Sequence, residues 1–234
     1  MQNGWNRQGV SLDARLSAIA GLAGRCECYA DIGCDHGRLG AFMLQSGQCR
    51  RAILTDISEP SLTKARRLMV QLGLSDRVTF AVGDGARALP GPVPLAVIAG
   101  MGGTTIAAIV RKGREQLGDA RLILQPNVAA PELRETLMRC GYRISDERVV
   151  QDGRRNYVII EAVPGQARYD ARQLAVGPVL LEKLPESLRP YAEFRLRVAK
   201  KALRGAETTR DASQTEPLIR EIAIWEDVLK CLQP

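Results

Sequence analysis

Asp31-Ile32-Gly33-Cys34-Asp35-His36-Gly37-Arg38-Leu39-Gly40 follows a short apolar run (Cys28-Tyr29-Ala30) and leads into Leu39, Phe42 and Met43 at helical spacing. The stretch therefore predicts a strand, a glycine-containing turn and a helix start, the arrangement at which open α/β sheets bind nucleotides. A dinucleotide fingerprint has glycine where this chain has Asp35, because only a bare backbone lets a pyrophosphate come close. A carboxylate there repels two phosphates and attracts a cation. S-adenosylmethionine, a nucleoside with a sulfonium and no phosphate, suits it, so the turn favours methyl transfer over hydride transfer. A glycine turn by itself is equally at home in a loop that binds nothing.

The residues downstream weigh against that last reading. Arg51 to Asp56 reads as a buried strand ending in an acid about twenty-five residues beyond Asp31, where an acid accepts hydrogen bonds from both ribose hydroxyls. Asp56 and the adjoining Ile57 are therefore counted with the nucleotide site. A helix follows from Ser58 to Leu72, with Ser58 as its cap and Gly73 ending it. Arg77 to Val82 supplies a third strand, then Gly83-Asp84-Gly85, an acid placed either to accept an adenine amine or to close an Asx turn. The fourth strand, Leu95 to Ala99, runs into Gly100-Met101-Gly102-Gly103, where the backbone must pass close to something. Met101 either covers a flat ring there or fills the core. A helix from Thr104 to about Leu117 leads to the fifth strand, Arg121 to Leu124, and to Gln125-Pro126-Asn127, whose amides could meet a planar base edge. Five β-α units in succession put all these groups on one rim of a parallel sheet.

On the N-terminal side, residues 1 to 10 read as a loose tail. Ser11 is a candidate cap for a helix carrying Leu12, Leu16, Ile19, Ala20 and Ala23, with Asp13 and Arg15 on its exposed side. On the C-terminal side, a helix from Pro131 to Cys140 gives way to strands at Tyr142 to Val150 and Tyr157 to Val163, joined by a loop containing Asp152-Gly153, a hairpin signal. Pro164-Gly165 marks a boundary. Beyond it come helical stretches at Asp170 to Lys183, Pro185 to Arg204 and Pro217 to Leu232, the last two forming a hairpin across a polar linker. The division expected is residues 1–165 as a nucleotide-binding domain and 166–234 as a helical domain. Arg189, Arg195, Arg197, Lys200, Lys201 and Arg204 crowd the middle helix, either to grip a phosphate backbone or as a solvated face.

The 234 residues carry a net charge of +7, with 33 basic against 26 acidic side chains. That excess fits either a polyanionic partner or an arginine-rich composition. No apolar run is long enough to span a membrane and no leader segment opens the chain, so a soluble, cytoplasmic protein is expected. Six cysteines without framework spacing suit reduced thiols, and with His36 the only histidine no metal site is expected. No oligomeric signal stands out, and a monomer is the expectation.

Taken together, Leu12-Asp13-Ala14-Arg15-Leu16, Asp31-Ile32-Gly33-Cys34-Asp35-His36, Gly83-Asp84-Gly85, Ile98-Ala99-Gly100-Met101-Gly102-Gly103, Leu122-Ile123-Leu124-Gln125-Pro126-Asn127 and Val176-Gly177-Pro178 resemble the bacterial tRNA adenine-22 N1-methyltransferases of the TrmK family. The family usually has serine in place of Cys34. The resemblance implies a Rossmann-like class I methyltransferase fold, with a parallel sheet closed by an antiparallel hairpin, and a coiled-coil-like C-terminal domain. It implies S-adenosylmethionine as donor and tRNA as partner. Asp31, Gly33, Asp56, Ile57, Asp84, Gly85, Gly100, Met101, Gly102 and Gly103 would then bind the donor, with Asp35 and Arg15 near the target base as catalytic candidates. Asp35 is expected to accept the N6 amine hydrogen of the adenine. Gln125, Pro126 and Asn127 are expected to contact the flipped base. His36 is expected to pack the loop, since attack by N1 removes no proton. A non-catalytic donor- and RNA-binding module, or a methyltransferase acting on a small molecule or protein, are the competing readings.

Overall fold

A computed structural model describes residues 9–209 and 212–232; residues 1 to 8 of the expected tail lie outside it. Strands β1 (Cys26–Ile32), β2 (Cys49–Asp56), β3 (Val78–Val82), β4 (Leu95–Met101) and β5 (Arg121–Pro126) run parallel, while β6 (Tyr142–Asp152) and β7 (Arg155–Pro164) form the hairpin. The order across the sheet is β3-β2-β1-β4-β5-β7-β6, so the second hairpin strand enters between β5 and β6, antiparallel to both. This is the Rossmann-like arrangement expected, with β1 and β4 adjacent at the centre. The strand order reverses at that point, which is where such sheets open a crevice for ligands.

Side-chain alternation sorts the core into two layers. Along β4, Leu95 and Val97 face one side and Ala96 and Ile98 the other. The first layer is covered by α1 (Ala14–Ala23), α2 (Arg38–Gln45) and α3 (Glu59–Gln71). The second is covered by α4 (Gly103–Lys112), α5 (Arg114–Leu117) and α6 (Ala130–Arg139), and continues without a break under the C-terminal helices through Val176, Leu188, Tyr191 and Trp225. Ser58 caps α3 as expected, its hydroxyl accepting from the Ser61 N–H. Ser11 does not cap α1: Asp13 does, its carboxylate accepting from the Leu16 N–H at 2.7 Å, and the Ser11 carbonyl instead receives Arg38. The helix expected from Thr104 to Leu117 is broken at Gly113, where a Cβ would approach Ala86 to 2.4 Å.

The single helix expected over Asp170 to Lys183 is two, α7 (Ala171–Val176) and α8 (Pro178–Lys183). Arg134 on α6 and Glu147 on β6, both with fully buried side chains, pair at 2.8 Å. The guanidinium also donates to the carbonyls of Leu174 and Val176 at the end of α7, and Glu147 accepts from the Val179 N–H at the start of α8. Gly177 lies over that carboxylate, at φ 122°, and a Cβ there would meet Glu147 Oε2 at 2.4 Å. One ion pair thus satisfies the orphan groups of two helix ends.

Helices α9 (Leu188–Thr209) and α10 (Ala212–Cys231) form the expected antiparallel hairpin, but both extend into what was expected as a linker, and Pro217 lies inside α10. Of the basic cluster, Arg189 reaches the Leu232 carbonyl, Arg195 pairs with Glu221 at 2.5 Å and Lys200 with Glu226 at 2.7 Å, so these fasten the hairpin. Arg197, Lys201 and Arg204 face solvent. None of the described helices is long and apolar enough to cross a membrane.

Candidate functional site

Two cavities open at the carboxyl ends of the parallel strands and meet at Gly33 and Met101. The first, about 500 Å³, is lined by Asp56 and Ile57 after β2, Asp84 and Gly85 after β3, and the α4 wall including Thr104 and Lys112. The second, about 470 Å³, is lined by Arg15 from α1, Asp31 from β1, Asp35 and His36 from the turn, and Gly100 after β4. Gly33 is required between them. Its φ is 77°, and a Cβ would lie 2.0 Å from the Met101 methyl group. Met101, left open between ring cover and core filler, stands partly exposed at this junction.

The rim is acidic at three strand ends, with Asp31 and Asp35 at β1, Asp56 at β2 and Asp84 after β3. Asp31 is 5% exposed, and burial together with the nearby Asp56 pushes its carboxyl up to about 7. Such a group gains from a cation placed beside it. Thr55, one residue before Asp56, lines the first cavity with a buried hydroxyl that has no hydrogen-bond partner among the described residues. Asp84 faces Lys112 at 3.6 Å, both exposed. Asp35 occupies the left-handed region at φ 48°, a conformation that favours glycine and that aspartate tolerates better than most residues. Its N–H donates to Asp56 Oδ2 at 3.1 Å, while its side chain, 72% exposed, lines the second cavity 3.6 Å from His36. The position is therefore glycine-like in backbone yet presents a carboxylate.

Gln125, Pro126 and Asn127 sit differently from expectation. Gln125 and Pro126 are buried, and the Gln125 Oε1 accepts from Arg15 at 2.8 Å and from the Gly100 N–H at 3.1 Å. Its Nε2 donates to Asn127 Oδ1, and Asn127 Nδ2 donates to the Gly100 carbonyl at 2.8 Å. The Asn127 and Gly103 N–H groups close the seam onto Met101 and Val128 carbonyls. These residues hold the glycine loop and aim Arg15; the Gln125 amide is enclosed by these bonds, Pro126 is buried, and of the three only Asn127 is exposed. Gly103 opens α4 where a Cβ would lie 2.1 Å from the Ala129 carbonyl oxygen, and Gly102 is the helix cap. His36, expected to pack the loop, has its ring half-covered and half-exposed, 3.6 Å from Asp35 and 3.0 Å from Lys64 Nζ. Cys34 is buried, and burial raises its thiol pKa, leaving it inert.

Sequence reasoning missed Thr55, the α4 wall and Tyr157, over whose ring the Arg15 guanidinium lies at 5.7 Å. The Thr104-Thr105 pair directly after the glycines was a usable signal; Tyr157 left none, because it reaches the rim only through the hairpin. Chemically, four carboxylates from three strand ends around a glycine junction suit a cationic nucleoside and oppose a pyrophosphate. Among the described residues no three His, Cys, Asp or Glu side chains gather to hold a metal ion.

A family model described as a methyltransferase domain matches residues 12–160. The chain is 30% identical over 230 residues to the tRNA (adenine(22)-N(1))-methyltransferase of Bacillus subtilis (strain 168), covering 94% of this chain and 96% of that one. Its structure is similar to that of Sp1610 of Streptococcus pneumoniae, a putative tRNA (m1A22) methyltransferase, with TM-score 0.86 and 26% identity over 94% of this chain and 100% of that one. The complex of Sp1610 with S-adenosyl-L-methionine matches with TM-score 0.81 over the same shares.

Proposed function

The chain belongs to the TrmK family of tRNA (adenine-22-N1)-methyltransferases, and from this membership we propose that it methylates N1 of adenine 22 in tRNA, using S-adenosylmethionine. The observation that carries the reading is the pair of carboxylate-lined cavities joined at Gly33, with the buried Asp31 carboxyl beside the junction. The donor fits the residues present. A cation near Asp31 restores its ionised form, and the unpartnered Thr55 hydroxyl awaits a polar group. When bound, S-adenosylmethionine supplies an electrophilic methyl group on a sulfonium.

We assign Asp56 and Ile57 to the ribose, Asp84 and Gly85 to the donor adenine, and Asp31, Gly33 and the Gly100-Met101-Gly102-Gly103 loop to the amino-acid end. Asp35 and Arg15, sharing the second cavity, face the acceptor. The acceptor lone pair lies in the ring plane and needs no base to free it, so positioning carries much of the acceleration. The carboxylate of Asp35 accepts the N6 amine hydrogen and stabilises the positive charge that the adenine gains, worth a few kcal/mol at ~4 Å and an effective dielectric near 20. Gln125 acts through Arg15 and Gly100 as a positioning residue. Residues 1–165 form the donor-binding unit and 166–234 the helical unit, which share one apolar core. We assign the protein to the cytoplasm, where free thiols and tRNA both belong, and expect a monomer.

The experiment is methyl transfer from labelled donor to total tRNA with nuclease mapping of the modified base, run beside donor calorimetry. Asp35→Asn tolerates the left-handed backbone and removes the charge. It should bind donor within about threefold of wild type while kcat falls at least tenfold, in line with a loss on the order of 1.4 kcal/mol or more. Parallel loss of donor binding would make Asp35 a donor-site residue instead, and Asp35→Ala should behave likewise.

A further inference from the structure

A third hollow opens beyond the rim, between the end of β5 and helix α9. It measures about 260 Å³, and its walls include Asn127, Val128, Asn156, Phe194 and Val198. Val128 is 67% exposed, Val198 46% and Phe194 38%. Large apolar side chains from separate elements left open side by side mark a surface that something covers. Asn127 joins this hollow to the glycine loop through its bond to the Gly100 carbonyl. Asn156 precedes Tyr157, the ring beneath Arg15, and its own side-chain amide makes no hydrogen bond among the described residues. The hollow therefore borders the place assigned to the acceptor base.

Its size and chemistry narrow the occupant. It has about half the volume of either rim cavity, room for one planar base rather than a whole nucleoside with an amino-acid tail or a helix. Phe194 offers an aromatic face, Val128 and Val198 flank it, and Asn156 offers a donor and an acceptor to a base edge. The Arg195 guanidinium at its edge is held by Glu221 at 2.5 Å. Beside and beyond Val198, Arg197, Lys201 and Arg204 run along the exposed side of α9 at spacings of four and three, none in an ion pair with a described residue. An apolar slot opening onto an unneutralised basic track matches a base attached to phosphates better than it matches an apolar protein segment.

Resting on the reading of the protein as a tRNA methyltransferase, we propose that this hollow takes one unstacked base of the tRNA, a neighbour of the target nucleotide, against Phe194 with its edge toward Asn156. Holding the neighbour apart offsets part of the unstacking that brings the target adenine to Asp35. Phe194→Ala should raise KM for tRNA about 5- to 160-fold, the range of one base-aromatic stack, with kcat within about threefold and donor affinity unchanged by calorimetry. Phe194→Trp should restore KM, a rescue that lost structural support would not give. Transcripts with an abasic nucleotide at each flanking position in turn should lose affinity for wild type at one position, and at that position Phe194→Ala should cost nothing more.

An active wild type beside a Phe194→Ala variant with unchanged KM overturns the hollow and leaves the methyltransferase reading standing. So do losses that simply add in the abasic series, or a shift from dimer to monomer on sedimentation with KM unmoved, which would make the slot a seat for a second copy of the chain. A wild type that transfers no methyl group to any tRNA sinks both.

Discussion

At the residue scale, the donor site proposed around Asp31 should make donor binding depend on pH. Its carboxyl, raised to about 7 by burial and then by Asp56, holds a proton in the folded state that the unfolded chain has already released. On this account the free protein gains stability as pH falls through 7 toward the ordinary carboxylate range near 4, and loses it as pH rises. A cation in the site favours the ionised form, so donor affinity should weaken, by up to about tenfold per pH unit, as pH drops below about 7. Calorimetry across that range should show protons released on binding. Asp31→Asn should lose most of the affinity and all of this pH dependence, yet melt higher than wild type at about pH 8. Gly33→Ala should destabilise by about 1 to 2 kcal/mol from backbone strain alone and abolish donor binding, because the new Cβ meets the Met101 methyl. Asp35 was legible because a carboxylate stood where a pyrophosphate site needs glycine. Gln125 was misread because its partner Arg15 lies 110 residues away, and nothing local reveals that its oxygen is already taken.

At the element scale, the Arg134–Glu147 pair decides where the C-terminal helices begin. Removing one member leaves the other charged and buried, so Arg134→Met should cost about 3 to 5 kcal/mol in urea denaturation. Arg134→Met combined with Glu147→Leu should cost less than the single change, since no charge is then stranded. The helix ends at Gly177 for the same reason, as the Glu147 carboxylate fills the space a side chain would need. The sequence reading ran one helix from Asp170 to Lys183 through this point, because the buried pair that divides it is brought there only by the fold. The strands and the hairpin turn, set by alternation and by Asp152-Gly153, were readable within a few residues.

At the scale of the whole molecule, the second layer of the core runs unbroken from the sheet that carries the rim cavities to the C-terminal helices that carry the basic face. If Arg197, Lys201 and Arg204 meet phosphates, replacing all three with alanine should flatten the slope of log affinity for tRNA against log salt by about 2 to 3, with donor affinity untouched. An unchanged slope would move the RNA elsewhere. The net charge of +7 left that question open. Within the basic cluster, folding consumed Arg189, Arg195 and Lys200 as fasteners between α9 and α10 and left the others outward. What the amino-acid order determined alone was the run of β-α units, the acids at their ends and the preference for a cationic nucleoside, because periodicity and charge sign are local properties. The tertiary structure decided which polar groups are spent holding the rim and which remain for a ligand. Burial and pairing join Arg15 to Gln125 and bring Phe194 beside Val128 across chain separations that no local pattern encodes.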